Sequence, residues 1–374
     1  MTPSCTKDSR VQERVDSASC EYACLFLVIA VRNNLRRLQP NGLRVLSLIP
    51  GLVEQIPGYS PDSMVHCSSL DGKEDILAEA DISPDAAREQ FGFPFIGVRR
   101  AEFQRFLIDT AEKHGIEIKW GHQAIEYEQS EDAVEVTFAN GVKDTASFVV
   151  GCDGLHSNTR IALFGKEKAN FTGLVQFGGL SPTPPAFSGK FTFVNNYGNG
   201  RHMVSYPVAE DKYSWAITTR QAEAKEDWKT QHVEQQDEIR RGPLSDWGFG
   251  AGDLGRIVLL GDAAHPTSPH LGQGANQAFE DIYHLMRLLK KYNPSTGQPS
   301  TELLSQVFID YQDLRLPRTS ELVRGARQQG EVRVIEGIEA CRVRNEKIRI
   351  GSRDEAARKA MSELLSGPFK DSEV

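Results

Sequence analysis

Four consecutive aliphatic residues, Ile257 to Leu260, lead without a break into Gly261-Asp262, and a connection rich in Gly and Pro runs on to Gly274. An apolar run this short reads as a buried strand. Gly274 to Leu289 reads as a long helix, so the segment is a strand, a tight connection and a helix. Its acidic residue stands at the carboxyl end of the strand, the edge at which open α/β sheets bind ligands. A carboxylate there can accept hydrogen bonds from sugar hydroxyls. Glycines in the connection let backbone come close to a flat ligand, and the free N–H groups at the helix start favour negative charge. The same pattern also describes a plain strand–turn–helix with an N-capping Asp.

Two other segments carry a related signal. Phe148 to Val150 is an apolar strand ending in Gly151-Cys152-Asp153-Gly154, and Leu155 to Arg160 follow as the start of a helix. Alone, this is a tight strand-to-helix turn. Arg100 opens an amphipathic stretch to His114 whose Phe103, Phe106 and Leu107 share one face, and Gly115 ends it.

Around these segments the pattern alternates in kind. Leu25 to Val31 reads as a buried strand, 41–49 as a helix and 57–72 as a loop. Ile116–Trp120, Ala124–Gln129 and Ala133–Phe138 read as strands, with Asn140-Gly141 as a hairpin turn. Residues 171–220 alternate apolar and polar positions, which predicts an antiparallel sheet. Residues 221–241 and the tail read as helical, and 301–329 as a helix interrupted at Pro317. The order predicts an α/β class with an α+β insert: a Rossmann-like nucleotide-binding domain into which an antiparallel sheet is inserted. The expected division gives residues 1–37 as an atypical N-terminal segment. Residues 38–65, 97–167 and 250–330 form the cofactor domain, 66–96 and 168–249 the substrate-binding sheet domain, and 331–374 a helical tail.

Composition narrows the class. The net charge of −8 over 374 residues argues against nucleic acid as a partner. The longest apolar run, Ala23 to Val31, is too short to span a membrane. Cys5, Cys20, Cys24, Cys67, Cys152 and Cys341 make no CxxC pair or zinc spacing, and the histidines are unclustered, so no metal is expected. Free thiols fit a reducing compartment and a cytoplasmic protein.

Gly261-Asp262 through Asp281 resembles, over about twenty positions, the GD motif of the FAD-dependent group A aromatic hydroxylases, the para-hydroxybenzoate and salicylate hydroxylase family. Asp153 with Ser157 and Arg160 is similar to the family's DG motif, Arg100 to its arginine at the head of a helix, and Leu38 to Leu46 to the segment after its second strand. The resemblance runs from about residue 38 to about 330. It implies FAD as cofactor, NAD(P)H as co-substrate, O2 as oxidant, and hydroxylation or epoxidation of a small aromatic or unsaturated organic substrate. It implies that Asp262 binds the ribityl chain, and that Pro269 and the backbone at Gly272, Gly274 and Asn276 lie near the flavin ring. Asp153 would lie near FAD and the nicotinamide path, and Arg100 near the pyrophosphate. It implies no universal catalytic side chain. The alternative is a non-catalytic remnant, or a small-ligand binder, of the same fold.

The chain departs from the family in two places. The family opens with a G-x-G-x-x-G phosphate loop, whereas residues 1–37 contain no glycine, so weak FAD binding is expected. Gly250 to Gly255 matches that pattern but precedes a strand, and reads as a loop. Arg36 and Arg37 could supply charge near the phosphates. Family members that use aromatic acids often carry Arg-Gly in the strand matching Phe177-Gly178-Gly179. Gly178 holds the Arg position, so a neutral or apolar substrate is expected. Arg201, His202 and Tyr206 could face it, although an ordinary sheet surface is the plainer reading.

Overall fold

The architecture is that of a computed structural model, which describes residues 24–26, 36–70, 72, 74–165, 169–221, 237–239, 255–295 and 297–369. The helix expected over 221–241 lies largely outside them; within it, Asp237–Ile239 is a strand paired with Ala169–Phe171.

The described helices are α1 (Pro40–Leu46), α2 (Pro84–Phe91), α3 (Arg100–Lys113), α4 (Asn158–Phe164), α5 (Gly274–Tyr292), α6 (Thr301–Arg333), α7 (Ile338–Gly351) and α8 (Glu355–Ser366). Cys24–Phe26, Val149–Gly151 and Ile257–Leu259 form a parallel sheet in that order. Val149–Gly151 and Ile257–Leu259 are buried, as strands of a parallel sheet commonly are. Val258 and Leu259 pack with Leu285 and Leu288 of α5 and with Leu304 and Phe308 of α6. Each such side chain contributes roughly 1.5–3 kcal/mol on burial.

A second small sheet sets Arg36–Leu38 and Gly58–Tyr59 on either side of Ile96–Val98. A third is the meander Ala124–Gln129, Val134–Phe138 and Lys143–Ala146, with Gly141 at φ +83° in the expected Asn-Gly turn. The large sheet has six strands, in the order Leu174–Pro182, Lys212–Arg220, Arg201–Ala209, Thr192–Tyr197, Ser63–Ser68 and Asp75–Asp81.

Four local expectations are corrected. Residues 57–72 hold two strands, because Ser63–Ser68 slots in beside Thr192–Tyr197 and buries Cys67 and Ser68. That pair is parallel, so the sheet is mixed. Ile116 to Trp120 is not a strand; Ile116 and Trp120 are exposed and find no ladder partner. Helix α6 passes through Pro317 unbroken. A proline inside a helix costs about 3 kcal/mol, and here ion pairs of Arg315 and Arg318 on either side of it hold the helix on course.

Candidate active site

Asp262 leaves the strand Ile257–Leu259 in a short 3-10 turn and is exposed, with Gly261 behind it at φ +58°. Its Oδ1 lies 3.7 Å from where a Cβ on Gly274 would stand, so the carboxylate sits beside the first residue of α5. That 19-residue helix begins without a capping side chain: Gln273 at its N-cap makes no capping hydrogen bond, and no acidic residue occupies the first turn. Exposed Pro269 opens the turn that ends on Gly272 at φ +66°. A Cβ there would stand 2.9 Å from Nε2 of Gln39. The structure thus gathers Asp262, Pro269, Gly272, Gly274 and Asn276 along one rim of the parallel sheet.

Asn276 is fully buried and its side chain is committed to structure. Its Oδ1 accepts from the Gln39 N–H at 3.0 Å, while Nδ2 donates to the carbonyls of Gly272 at 2.9 Å and Arg37 at 3.3 Å. Gln39 in turn donates to the carbonyls of Leu271 and Gly272. Gly42 lets α1 lie against α5, since a Cβ there would stand 2.3 Å from Asn276 Oδ1.

Asp153 stands on the neighbouring strand's exit, half-buried, with its carboxylate held by the turn that follows. It accepts from the Thr159 N–H at 2.9 Å and Oγ1 at 3.0 Å, and from Ser157 Oγ. Ser157 caps α4 through Arg160 N–H. Arg160 Nη1 reaches the Ala263 carbonyl at 2.8 Å, which ties this turn to the one carrying Asp262. Arg100 is the first residue of α3, partly buried, directly after the strand Ile96–Val98 that pairs with Arg36–Leu38.

Beneath the rim lies a buried polar network that the sequence reading missed. Asp281 Oδ2 accepts from Gly261 N–H at 2.8 Å and is 2.6 Å from His265 Nε2; its Oδ1 accepts from Arg315 Nε. Glu280 accepts from Arg315, Arg318, Asn41 and Gln277. Burial pushes the Asp281 and Glu280 carboxyls up, but these partners outweigh it and hold both below the usual carboxylate range. The available signal was the acidic pair Glu280-Asp281 within a long helix, with two arginines at a three-residue spacing on a later helix.

The large sheet turns one face towards this rim. His202 and Tyr206 are 1% and 8% exposed, so the surface reading fails for both, while Arg201 is exposed. Alternation places Gly178, Ala216 and Val204, register neighbours, on the same face as His202. Arg37 reaches this face too: its guanidinium lies 4.6 Å from the centroid of Phe193 and 5.6 Å from that of Phe95. Burial lowers it to about 10. Among the described residues no cluster of His, Cys, Asp and Glu could hold a metal, and no helix is long and apolar enough to cross a membrane.

A family profile described as FAD binding domain matches residues 89–326. The 3-amino-4-hydroxybenzoate 2-monooxygenase of Streptomyces cremeus is 32% identical over 316 residues, covering 79% of this chain and 76% of that one. The 6-hydroxynicotinate 3-monooxygenase of Pseudomonas fluorescens is 29% identical, covering 67% and 69%. Among solved structures, Klebsiella pneumoniae HpxO complexed with FAD and uric acid superposes with a TM-score of 0.73 at 20% identity, covering 92% of this chain and 90% of that one. A salicylate hydroxylase substrate complex gives 0.65 at 19%, covering 90% and 91%. Both share the fold.

Proposed function

Since the chain belongs to the FAD binding domain family, that of the FAD-dependent aromatic hydroxylases, we propose that it is itself a monooxygenase acting on a small aromatic molecule with FAD, NAD(P)H and O2. The observation that carries the reading is the strand-end carboxylate of Asp262 set beside an uncapped helix start at Gly274, with Gly272 left-handed next to it. These residues fit a flavin. Asp262 would accept hydrogen bonds from the ribityl hydroxyls. Gly274, whose Cβ position comes no nearer than 3.6 Å to a neighbour, would let a flat ring approach the backbone on the side of Pro269. The first N–H groups of α5, that of Asn276 among them, favour the negative charge a reduced flavin carries. Arg100 serves the pyrophosphate end, and Asp153 acts as a positioning residue that shapes the turn beside the nicotinamide path.

When bound, FAD supplies the redox chemistry. In the balance one ring C–H becomes C–O–H, the second atom of O2 leaves as water, and NAD(P)H with one proton supplies the two electrons. The chain's part is to hold the aromatic ring between the rim and the large sheet and to keep water out. In this proposal 38–65, 97–167 and 250–330 would carry the cofactor and 66–96 and 168–249 would face the substrate, with 331–374 as a C-terminal helical tail. The free thiols of Cys67, Cys152 and Cys341 support a reducing, cytoplasmic setting.

The test is oxidation of NADH and NADPH by the FAD-supplemented protein, with a panel of phenols and hydroxybenzoates under 18O2. Label in a ring hydroxyl supports the reading. A protein that takes up no FAD, or takes it up and labels nothing, overturns it.

A further inference from the structure

Where the rim meets the large sheet, positive charge is concentrated, and the groups acting on it among the described residues include no carboxylate. Arg37 enters from the strand Arg36–Leu38, and its Nη2 is 3.6 Å from the Cβ position of Gly272. Arg333 enters from the last turn of α6, with Nη1 3.4 Å from Nδ1 of His270. His270 is itself buried, packed against Gly330, where a Cβ would stand 2.4 Å from its ring. His66 lies alongside, its Nδ1 3.3 Å from the Tyr197 hydroxyl, and the His202 ring is 4.7 Å from that of Tyr197.

Three polar atoms here are buried and have no partner among the described residues: both ring nitrogens of His202, which is 1% exposed, and Nε of Arg333. Buried donors without acceptors are costly unless a ligand satisfies them. The groups that act on Arg37, Arg333, His66, His202 and His270 are one another, Arg344 and tyrosines; no carboxylate is among them. Burial and Arg333 hold His66 down to about 4 and His270 to about 3, so both are neutral at physiological pH. The cation is therefore that of the two arginines. Two partly buried guanidiniums without a counter-ion are an anion site in waiting, and a guanidinium fork suits a carboxylate. Gly178 on the same face contributes no charge, so the strand on which a neutral substrate was expected is not the one that sets the charge of the site.

We infer that Arg37 and Arg333 are specificity-determining residues that, with His202, seat one ionised carboxylate of an aromatic substrate. This rests on the cleft being the substrate site proposed above. The acid group points towards Arg333 and His202, and the ring lies over the face formed by Val204, Ala216 and Gly178. Phe193 and Phe95 hold the Arg37 guanidinium in place, leaving its donors for the ligand.

The test is isothermal titration of the full chain, with and without added FAD, using 3-hydroxybenzoate and salicylate against their amides. The acids should bind at least about tenfold more tightly. Arg37→Met and Arg333→Met should each abolish that preference, while affinity for the amides stays within about twofold, which shows that the variants are folded. Equal affinity for acid and amide, no binding of either, or a preference that survives both substitutions overturns the inference. So does inorganic phosphate competing as well as the acids, which marks an unspecific cation patch. FAD uptake is followed separately by flavin absorbance. Failure to take up FAD with the acid preference intact would overturn the flavoenzyme reading and leave the carboxylate seat standing.

Discussion

Arg315 and Asp281, thirty-four residues apart, meet as a fully buried ion pair with Nε 2.7 Å from Oδ1. The pair joins α6 to the helix whose start forms the rim, and Asp281 passes the restraint on to the Gly261 N–H. Removing one partner leaves Asp281 and Glu280 buried with part of their compensation gone. Arg315→Met should therefore destabilise the protein by about 3–5 kcal/mol in chemical denaturation. A loss under about 1 kcal/mol would mean that Arg318 and His265 suffice.

Asp262 is exposed, so its removal should leave stability alone and act on the ligand. Asp262→Ala should weaken FAD binding by about 1–3 kcal/mol, up to roughly a hundredfold, with an unchanged Tm. Unaltered FAD affinity would remove Asp262 from the site.

Acid should begin to weaken the fold above the range in which carboxylates titrate. His66 and His270 are held below the ordinary histidine value, so between about pH 6.5 and 4 the unfolded chain binds more protons than the native one. Their contribution is complete above about pH 6.5 and is lost as the pH falls towards 4. Tm should drop steadily over this range, and His270→Gln should flatten the slope. A Tm that is level over the range would contradict the burial described. Below about pH 4, Asp281, whose native carboxyl is depressed, adds a second loss.

Gly42→Ala should separate α1 from α5, because the new methyl would stand 2.3 Å from the Asn276 amide oxygen inside a fully bonded pocket. Overpacking of this kind costs about 1–3 kcal/mol. It should also loosen FAD, read by flavin fluorescence, since Asn276 fixes the Gly272 carbonyl. A neutral outcome in both measurements would show that the α1 contact is dispensable.

Residues 1–37 contain no glycine to bring backbone against a pyrophosphate. FAD should therefore bind more weakly than about 1 μM, or about −8.2 kcal/mol, in a titration followed by tryptophan quenching. Submicromolar binding would show that the rim around Asp262 is sufficient.

The segments legible in the sequence are those whose geometry is local. Ile257 to Gly274 and Phe148 to Gly154 announce strand, turn and helix through a short apolar run and the glycines after it, and Asn140-Gly141 announces its own hairpin. What was not legible depends on distant partners. Ser63–Ser68 becomes a strand only because Thr192–Tyr197 receives it. The helix runs on through Pro317 beside two arginines held by Glu280 and Asp281, partners that lie on another helix. His202 looked like sheet surface because its burial comes from residues as far away as Tyr197, His270 and Arg333. The contact of the Arg37 guanidinium with Phe193 likewise joins residues far apart in the sequence.

Ile96–Val98 meets the large sheet at Gly97, where a Cβ would stand 2.1 Å from the Pro207 carbonyl oxygen and 2.9 Å from the Tyr206 ring. Backbone touches backbone there with no side chain between, and contact that close leaves no slack for one layer to slide over the other. A side chain at position 97 would collide with the Pro207 carbonyl, so the join between these two layers holds only while glycine stands there.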